Sequence, residues 1–160
     1  MALFDLSRYD LKLELEKPND DNVYRFGDKI KGKVELIVKR ELYTNKLILR
    51  LVKESKIKIR SKLDNNETIE AKTEFLYYDI LDGPGKYAPE KSCKMIKEWK
   101  FQILIPKQQE YSDNTLMKRF FDAFYPAEIK DKYYLEILFE LPWPYDDELI
   151  KKEINCEREL

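Results

Sequence analysis

Apolar and charged residues alternate along most of this chain with the two-residue period of strands, whose successive side chains point to opposite faces. Tyr9, Leu11, Leu13 and Leu15 alternate with Asp10, Lys12, Glu14 and Glu16. Ile30, Val34, Leu36 and Val38 stand against Lys31, Lys33, Glu35 and Lys39, with Ile37 as the exception. From Asn45 to Lys62 the apolar side chains fall on odd positions, Leu47, Leu49, Leu51, Ile57 and Ile59, but Lys53 and Ser55 interrupt them, which predicts a strand bent or split in its middle. The same rule predicts strands near 68–79 (Ile69, Ala71, Phe75, Tyr77), near 94–105 (Met95, Trp99, Phe101, Ile103, Ile105), at Tyr133 to Leu141, and over Ile150, Ile154 and Cys156. About seven half-buried strands predict an all-β, two-sheet antiparallel immunoglobulin-like sandwich.

Turn-forming clusters close these runs at Pro18 to Asn22, Asp64 to Asn66, Asp82 to Gly85 and Pro142 to Asp147. One segment breaks the β pattern. Leu116, Met117, Phe120, Phe121 and Phe124 share one helical face after a Ser112-Asp113-Asn114 cap and before Pro126, predicting one short inserted helix at about 113–124. A short helix beside a sandwich commonly covers a sheet or plugs an open end, so this face reads as core before partner surface.

The 160 residues suit one domain spanning 1–160, long enough to bury roughly 70% of the unfolded surface without a disulfide or metal staple. The 30 basic and 31 acidic side chains leave a net charge of -1, which argues against a nucleic-acid partner. The first residues lack a basic stretch followed by a long apolar one, and nowhere do 18 apolar residues run together, so a cytoplasmic protein is expected. Cys93 and Cys156 have no CxxC or histidine companions and read as ordinary thiols, a disulfide between them being the lesser alternative.

The chain contains no histidine, which removes Ser-His-Asp and Cys-His mechanisms, histidine-based zinc sites and the commonest general base. Asp82-Gly-Pro-Gly-Lys86 lacks the spacing of a phosphate loop and reads as a turn. The acidic groups Asp20-Asp21, Asp64 to Glu67 and Asp146 to Glu148 lack the alternating pattern of a calcium loop and read as solvated turns. No enzyme, cofactor or metal is therefore expected.

Two features point to binding. Lys56, Lys58, Arg60 and Lys62 lie on one parity of a strand, a cationic stripe that would meet a phosphopeptide or anionic headgroups, or else a solvated face protecting an edge. In Leu141-Pro-Trp-Pro-Tyr145, prolines on both sides of Trp143 hold it in a stiff turn, so that Trp143 and Tyr145 are either packed or presented to a partner.

The stretch Tyr24-Arg-Phe-Gly-Asp-Lys-Ile-Lys-Gly-Lys-Val-Glu-Leu resembles the strand-turn-strand signature of arrestin-fold domains, with Gly27 suited to positive φ and Gly32 leaving room for a neighbouring backbone or ring. Lys46-Leu-Ile-Leu-Arg-Leu-Val, Trp99-Lys-Phe-Gln-Ile-Leu-Ile-Pro and Tyr133-Tyr-Leu-Glu-Ile-Leu-Phe-Glu-Leu are similar, in order, to later strands of that family. The resemblance runs over about residues 5 to 160. It implies a non-enzymatic scaffold or adaptor of the kind shared by arrestins, retromer subunits and bacterial sporulation-control proteins, here with one sandwich. Such a module would hold a protein partner by an edge strand or a sheet face, with homodimerisation as a corollary and peripheral membrane contact as a lesser alternative.

Overall fold

The computed structural model describes residues 8–18, 22–61, 66–90, 93–106 and 124–157. In chain order the elements are β1 (Tyr9–Leu15), β2 (Tyr24–Arg25), β3 (Lys29–Val38), β4 (Leu42–Thr44), β5 (Lys46–Ser61), β6 (Glu67–Asp82), β7 (Gly85–Tyr87), β8 (Met95–Leu104), β9 (Phe124–Glu140), β10 (Glu148–Ile154) and β11 (Cys156–Glu157). The seven longer ones match the expected strands, and β2, β4, β7 and β11 are short additions. A three-stranded sheet in the order β1-β3-β8 and a four-stranded sheet in the order β10-β9-β5-β6 form the two layers, with β4-β7 and the parallel pair β11-β2 as two-stranded ribbons. This is the all-β, arrestin-like sandwich.

Parity explains the layers. In the shorter sheet Leu13 faces Val34 and Leu11 faces Leu36, so the odd positions of β1 share a side with the even positions of β3 and with Trp99, Phe101 and Ile103 of β8. The longer sheet answers with Leu47, Leu49 and Leu51 of β5 and Leu135, Ile137 and Phe139 of β9. Most of these residues form one buried apolar cluster, with Leu11, Trp99 and Phe101 half-buried against it. The Tyr9 ring meets Phe139 edge-on at 5.0 Å, joining β1 to β9 across the layers. Along the seam between β1 and β10, Lys152 Nζ donates to the Leu13 carbonyl.

Two glycines act as the sequence suggests. Gly27 has φ of +93° in a turn closed by Asp28 N donating to Arg25 O at 2.9 Å. That turn is latched to the end of β8, because Gly27 N donates to Ile105 O at 3.0 Å and Ile105 N to Asp28 O at 2.9 Å. Gly32 lies between Leu15 of β1 and Phe101 of β8. A Cβ there would press on the Glu14 carbonyl oxygen and stand 2.8 Å from the Phe101 ring, so both neighbouring strands approach through the missing side chain.

Three expectations need revision. Of the two outcomes expected for the segment 45–62, the split does not hold: it is one continuous strand, β5, with register shifts beside Leu47/Ile48, Leu51/Val52 and Lys58/Ile59. The interruption at Lys53 and Ser55 is absorbed by a partner the local pattern did not contain. Ser55 Oγ donates to Asp131 Oδ1 at 2.7 Å and Lys53 Nζ lies 3.8 Å from Asp131 Oδ2, so the inward polar positions are satisfied by β9 without breaking the ladder. Secondly, β9 begins at Phe124, well before the expected Tyr133, and pairs with β5 from Ser61 to Lys46. Thirdly, Phe124, assigned to the end of the helix, is the first residue of β9; the rest of that expected helix lies outside the described residues.

Both cysteines are free thiols. Burial pushes the Cys156 thiol up to about 11, with the Asp28 carboxylate adding to the shift, whereas Cys93 is exposed. At pH 8 only about a thousandth of Cys156 is then thiolate, and that fraction grows about tenfold per pH unit. Titration with a thiol reagent should therefore show the exposed Cys93 labelled first, with Cys156 slower at pH 8 and accelerating as pH rises toward 10. For the glycines, Gly32→Ala should cost on the order of 2–3 kcal/mol through overpacking against β1 and β8. Gly27→Ala should cost about 1 kcal/mol through its positive φ. Urea denaturation of both variants checks the ranking.

Candidate functional site

Pleating gives the four-stranded sheet a second face, turned away from the core. On β5 this face takes the even positions, and the register carries it across all four strands. Ile48 is paired with Ile80 of β6 and Leu138 of β9, and Leu138 with Leu149 of β10, so one row across the sheet is wholly apolar. The next row runs Tyr78, Arg50, Glu136, Lys151, and the one after it Phe75, Val52, Tyr134, Glu153. Ile48 is 3% exposed and Val52 1%, although neither belongs to the inter-sheet core cluster. Their neighbours at the margins remain in water, with Phe75 59% exposed, and Tyr78, Ile80 and Leu149 also exposed.

The polar row keeps this face from being uniformly greasy. Arg50 Nε donates to Glu136 Oε1 at 2.9 Å, and both side chains are largely buried. The Arg50 guanidinium also lies 5.2 Å from the centre of the Phe75 ring, while Lys151 Nζ sits 4.0 Å over Tyr134 and 2.8 Å from Glu54 Oε1. The hydrogen bond to Glu54 is the largest cause holding the Lys151 ammonium above its ordinary range, supported by the charges of Glu54 and Glu136. Arg50 and Lys151 thus lay their stems and charged heads along aromatic rings while remaining paired with carboxylates. The arrangement offers shape, apolar area and fixed charge; among the described residues no group of three or more side chains could hold a metal ion.

The expected site residues are separated into two groups. Lys56, Lys58 and Arg60 are exposed on the outer face of β5, toward its far end, and Lys62 lies outside the described residues. Because β5 runs between β6 and β9, the stripe is not an edge-protecting face, which corrects that alternative. Arg60 is paired with Glu67 at 2.8 Å, and Lys56 is registered directly against Lys130 of β9. Trp143 and Tyr145 lie at the opposite end of the sheet, in the turn between β9 and β10, near where Lys46 meets Glu140. From Lys46 to Lys56 the strand spans roughly 33 Å at about 3.3 Å per residue, so one small ligand cannot touch both groups.

The Trp143 turn is held by Tyr145 N donating to Pro142 O and by Leu141 N donating to Asp147 Oδ1, both at 3.0 Å, with a cis peptide bond between Trp143 and Pro144. Trp143 is 93% exposed, so of the two readings of this corner the packed one does not hold for it. The Arg8 guanidinium lies 5.2 Å from the Tyr145 ring and donates to Glu41 O at 3.0 Å. Lys86 pairs with Glu41 at 3.4 Å and stands 5.4 Å over Tyr43.

The apolar outer row was the feature sequence patterning passed over. Its signal was Leu47-Ile48-Leu49-Arg50-Leu51-Val52, where both parities are apolar, as in strands covered on both faces. Counting odd positions alone hides the second stripe.

No protein-family model matches this chain, and no curated protein matches it. Among solved structures, the fold is similar to that of Spo0M, a sporulation control protein from Bacillus subtilis, with a TM-score of 0.56 and 13% sequence identity. The similarity covers 95% of this chain and 50% of that protein, so this chain spans about half the length of its structural relative. At that identity the likeness extends to the fold.

Removing one member of the Arg50–Glu136 pair should strand the other at a nearly dry position. Arg50→Leu is expected to cost about 3 kcal/mol, and the double variant Arg50→Leu/Glu136→Leu to recover most of that loss. Urea unfolding of the two single variants and the double variant measures the coupling.

Proposed function

We propose that this chain is a non-enzymatic interaction module, a scaffold or adaptor that takes a protein partner on the outer face of its four-stranded sheet. The observation that carries this reading is the row Ile80, Ile48, Leu138, Leu149, an apolar line across every strand on the face the core does not use. Ile80 and Leu149 keep apolar area in water at the two ends of that row, which is the area a partner would cover. The ordered Arg50–Glu136–Lys151 row beside it would set orientation, because fixed and paired charges discriminate among partners more than they add affinity. The arrestin-like fold is compatible with this reading, although a fold alone does not fix function.

A second reading has one observation in its favour. The register sets Lys56 directly opposite Lys130, so an anionic group bound on this part of the outer face would meet both lysines. A phosphopeptide or an acidic headgroup bound there would be strongly sensitive to salt.

The two readings separate in one capture experiment from source-cell extract at low and high salt. Under the sheet-face reading, the partner held by the native chain is retained by the variant Lys56→Glu/Lys58→Glu/Arg60→Glu and lost from Ile80→Glu/Leu149→Glu, with binding falling at least about thirtyfold, the equivalent of one hot-spot contact. Loss from the charge-reversal variant and at high salt, with retention by Ile80→Glu/Leu149→Glu, would transfer the function to the cationic stripe.

A further inference from the structure

The four-stranded sheet has two lateral edges, and they are treated differently. At the β10 edge, Lys152 donates to the Leu13 carbonyl of β1, tying the two layers together. At the other edge β6 is hydrogen-bonded to β5 and pairs with no further strand among the described residues. Along it Ile69, 66% exposed, and Phe75 project on the outer face. A long edge of this kind is a template for another strand.

We propose that the occupant is a second copy of this chain, paired antiparallel along β6 with the twofold axis at Ala71. This interface is distinct from the sheet-face docking above and does not depend on it. Antiparallel symmetric pairing requires facing residues to project on the same side of the sheet, so the axis must pass through a residue and not between two. Regular pairing is confined to 67–75, because the register passes from Val52↔Phe75 to Leu51↔Tyr77 and leaves Leu76 as a bulge. Within that window the charges decide the centre. An axis at Glu70 sets Glu70 against itself. An axis at Lys72 sets Lys72 against itself and Glu70 against Glu74. An axis at Ile69 or Thr73 uses only five residues before the window ends.

Centred on Ala71, all nine residues pair with no like charges facing. Glu70 meets Lys72 of the second copy twice, Ile69 meets Thr73, Thr68 meets Glu74 and Glu67 meets Phe75. Ile69 also falls diagonal to Phe75 of the second copy, within the reach of an aromatic side chain. Two exposed apolar side chains from each copy are thereby covered. In the single chain, Lys72 reaches Glu74 at 2.7 Å, and that hydrogen bond is the largest cause holding the Glu74 carboxyl below its ordinary range. Pairing adds a facing carboxylate to a lysine already held extended along the edge.

Sedimentation equilibrium of the full chain should show a concentration-dependent dimer. Lys72→Glu, which turns both Glu70–Lys72 contacts into repulsions, should weaken it about tenfold, and Glu70→Lys/Lys72→Glu should restore it. In a Cys93→Ser background, Ala71→Cys should form a disulfide-linked dimer on mild oxidation, while Thr68→Cys should not, since only Ala71 faces its own copy. A chain that stays monomeric throughout, a dimer indifferent to the charge swap, or cross-linking at Thr68 in preference to Ala71 would each overturn the proposal. If Lys72→Glu fails to fold, the cysteine variants test the same pairing without it.

Discussion

The four-stranded sheet, one of the two layers of this sandwich, is registered from β5. That strand is hydrogen-bonded on both sides, to β6 along one flank and to β9 along the other, and each pairing continues from the Lys46 end to Arg60 or Ser61. A strand held so has no freedom to slip, because a shift of one residue would exchange its two faces. That constraint sends Leu47, Leu49 and Leu51 into the core and Ile48 and Val52 to the opposite side. The inter-sheet cluster ends at Leu51 on this strand, yet the ladder continues past it to Ser61. Beyond Leu51 the polar pair Lys53 and Ser55 is answered by Asp131, so hydrogen bonding takes over part of the role that apolar contact plays nearer the Lys46 end.

Much of the fold was legible because half-buried strands write their orientation into alternate residues. Parity located the inward residues of β1, β3, β8 and the core end of β9, and the glycine spacing located the Arg25–Asp28 turn and the close approach at Gly32. What parity could not supply was partner identity. Lys53 and Ser55 looked like a break because Asp131, which satisfies them, is distant in sequence. Two-faced strands were under-read for a related reason. Once Leu47, Leu49 and Leu51 explain a core face, Ile48 and Val52 look like noise until Ile80, Leu138 and Leu149 are brought into line with them. The candidate site residues could be named individually, but their division between two ends of one sheet depends on which strands are neighbours, and local sequence does not state that.

The near balance of acidic and basic residues is likewise spatial. Arg50 with Glu136, Lys151 with Glu54, Lys39 with Asp10 and Lys86 with Glu41 are contacts between stretches distant in sequence. Apart from the largely buried Arg50–Glu136 pair, such exposed pairs add little stability individually. Their larger effect is on specificity: a strand surface dotted with both signs rejects most pairings, and accepts only those in which the pattern meets its complement.

The turn bearing Trp143 and the lysines beyond Ser55 stand at opposite ends of the same hydrogen-bonded strands, and this has a mechanical meaning. A pull between those ends would run parallel to β5 and β9, at right angles to the bonds joining them. Such a load falls on the whole ladder at once, where a pull across the sheet would open it one bond at a time. Anything gripped at one end of this molecule is therefore coupled to anything gripped at the other by the stiffest direction a β-sheet has.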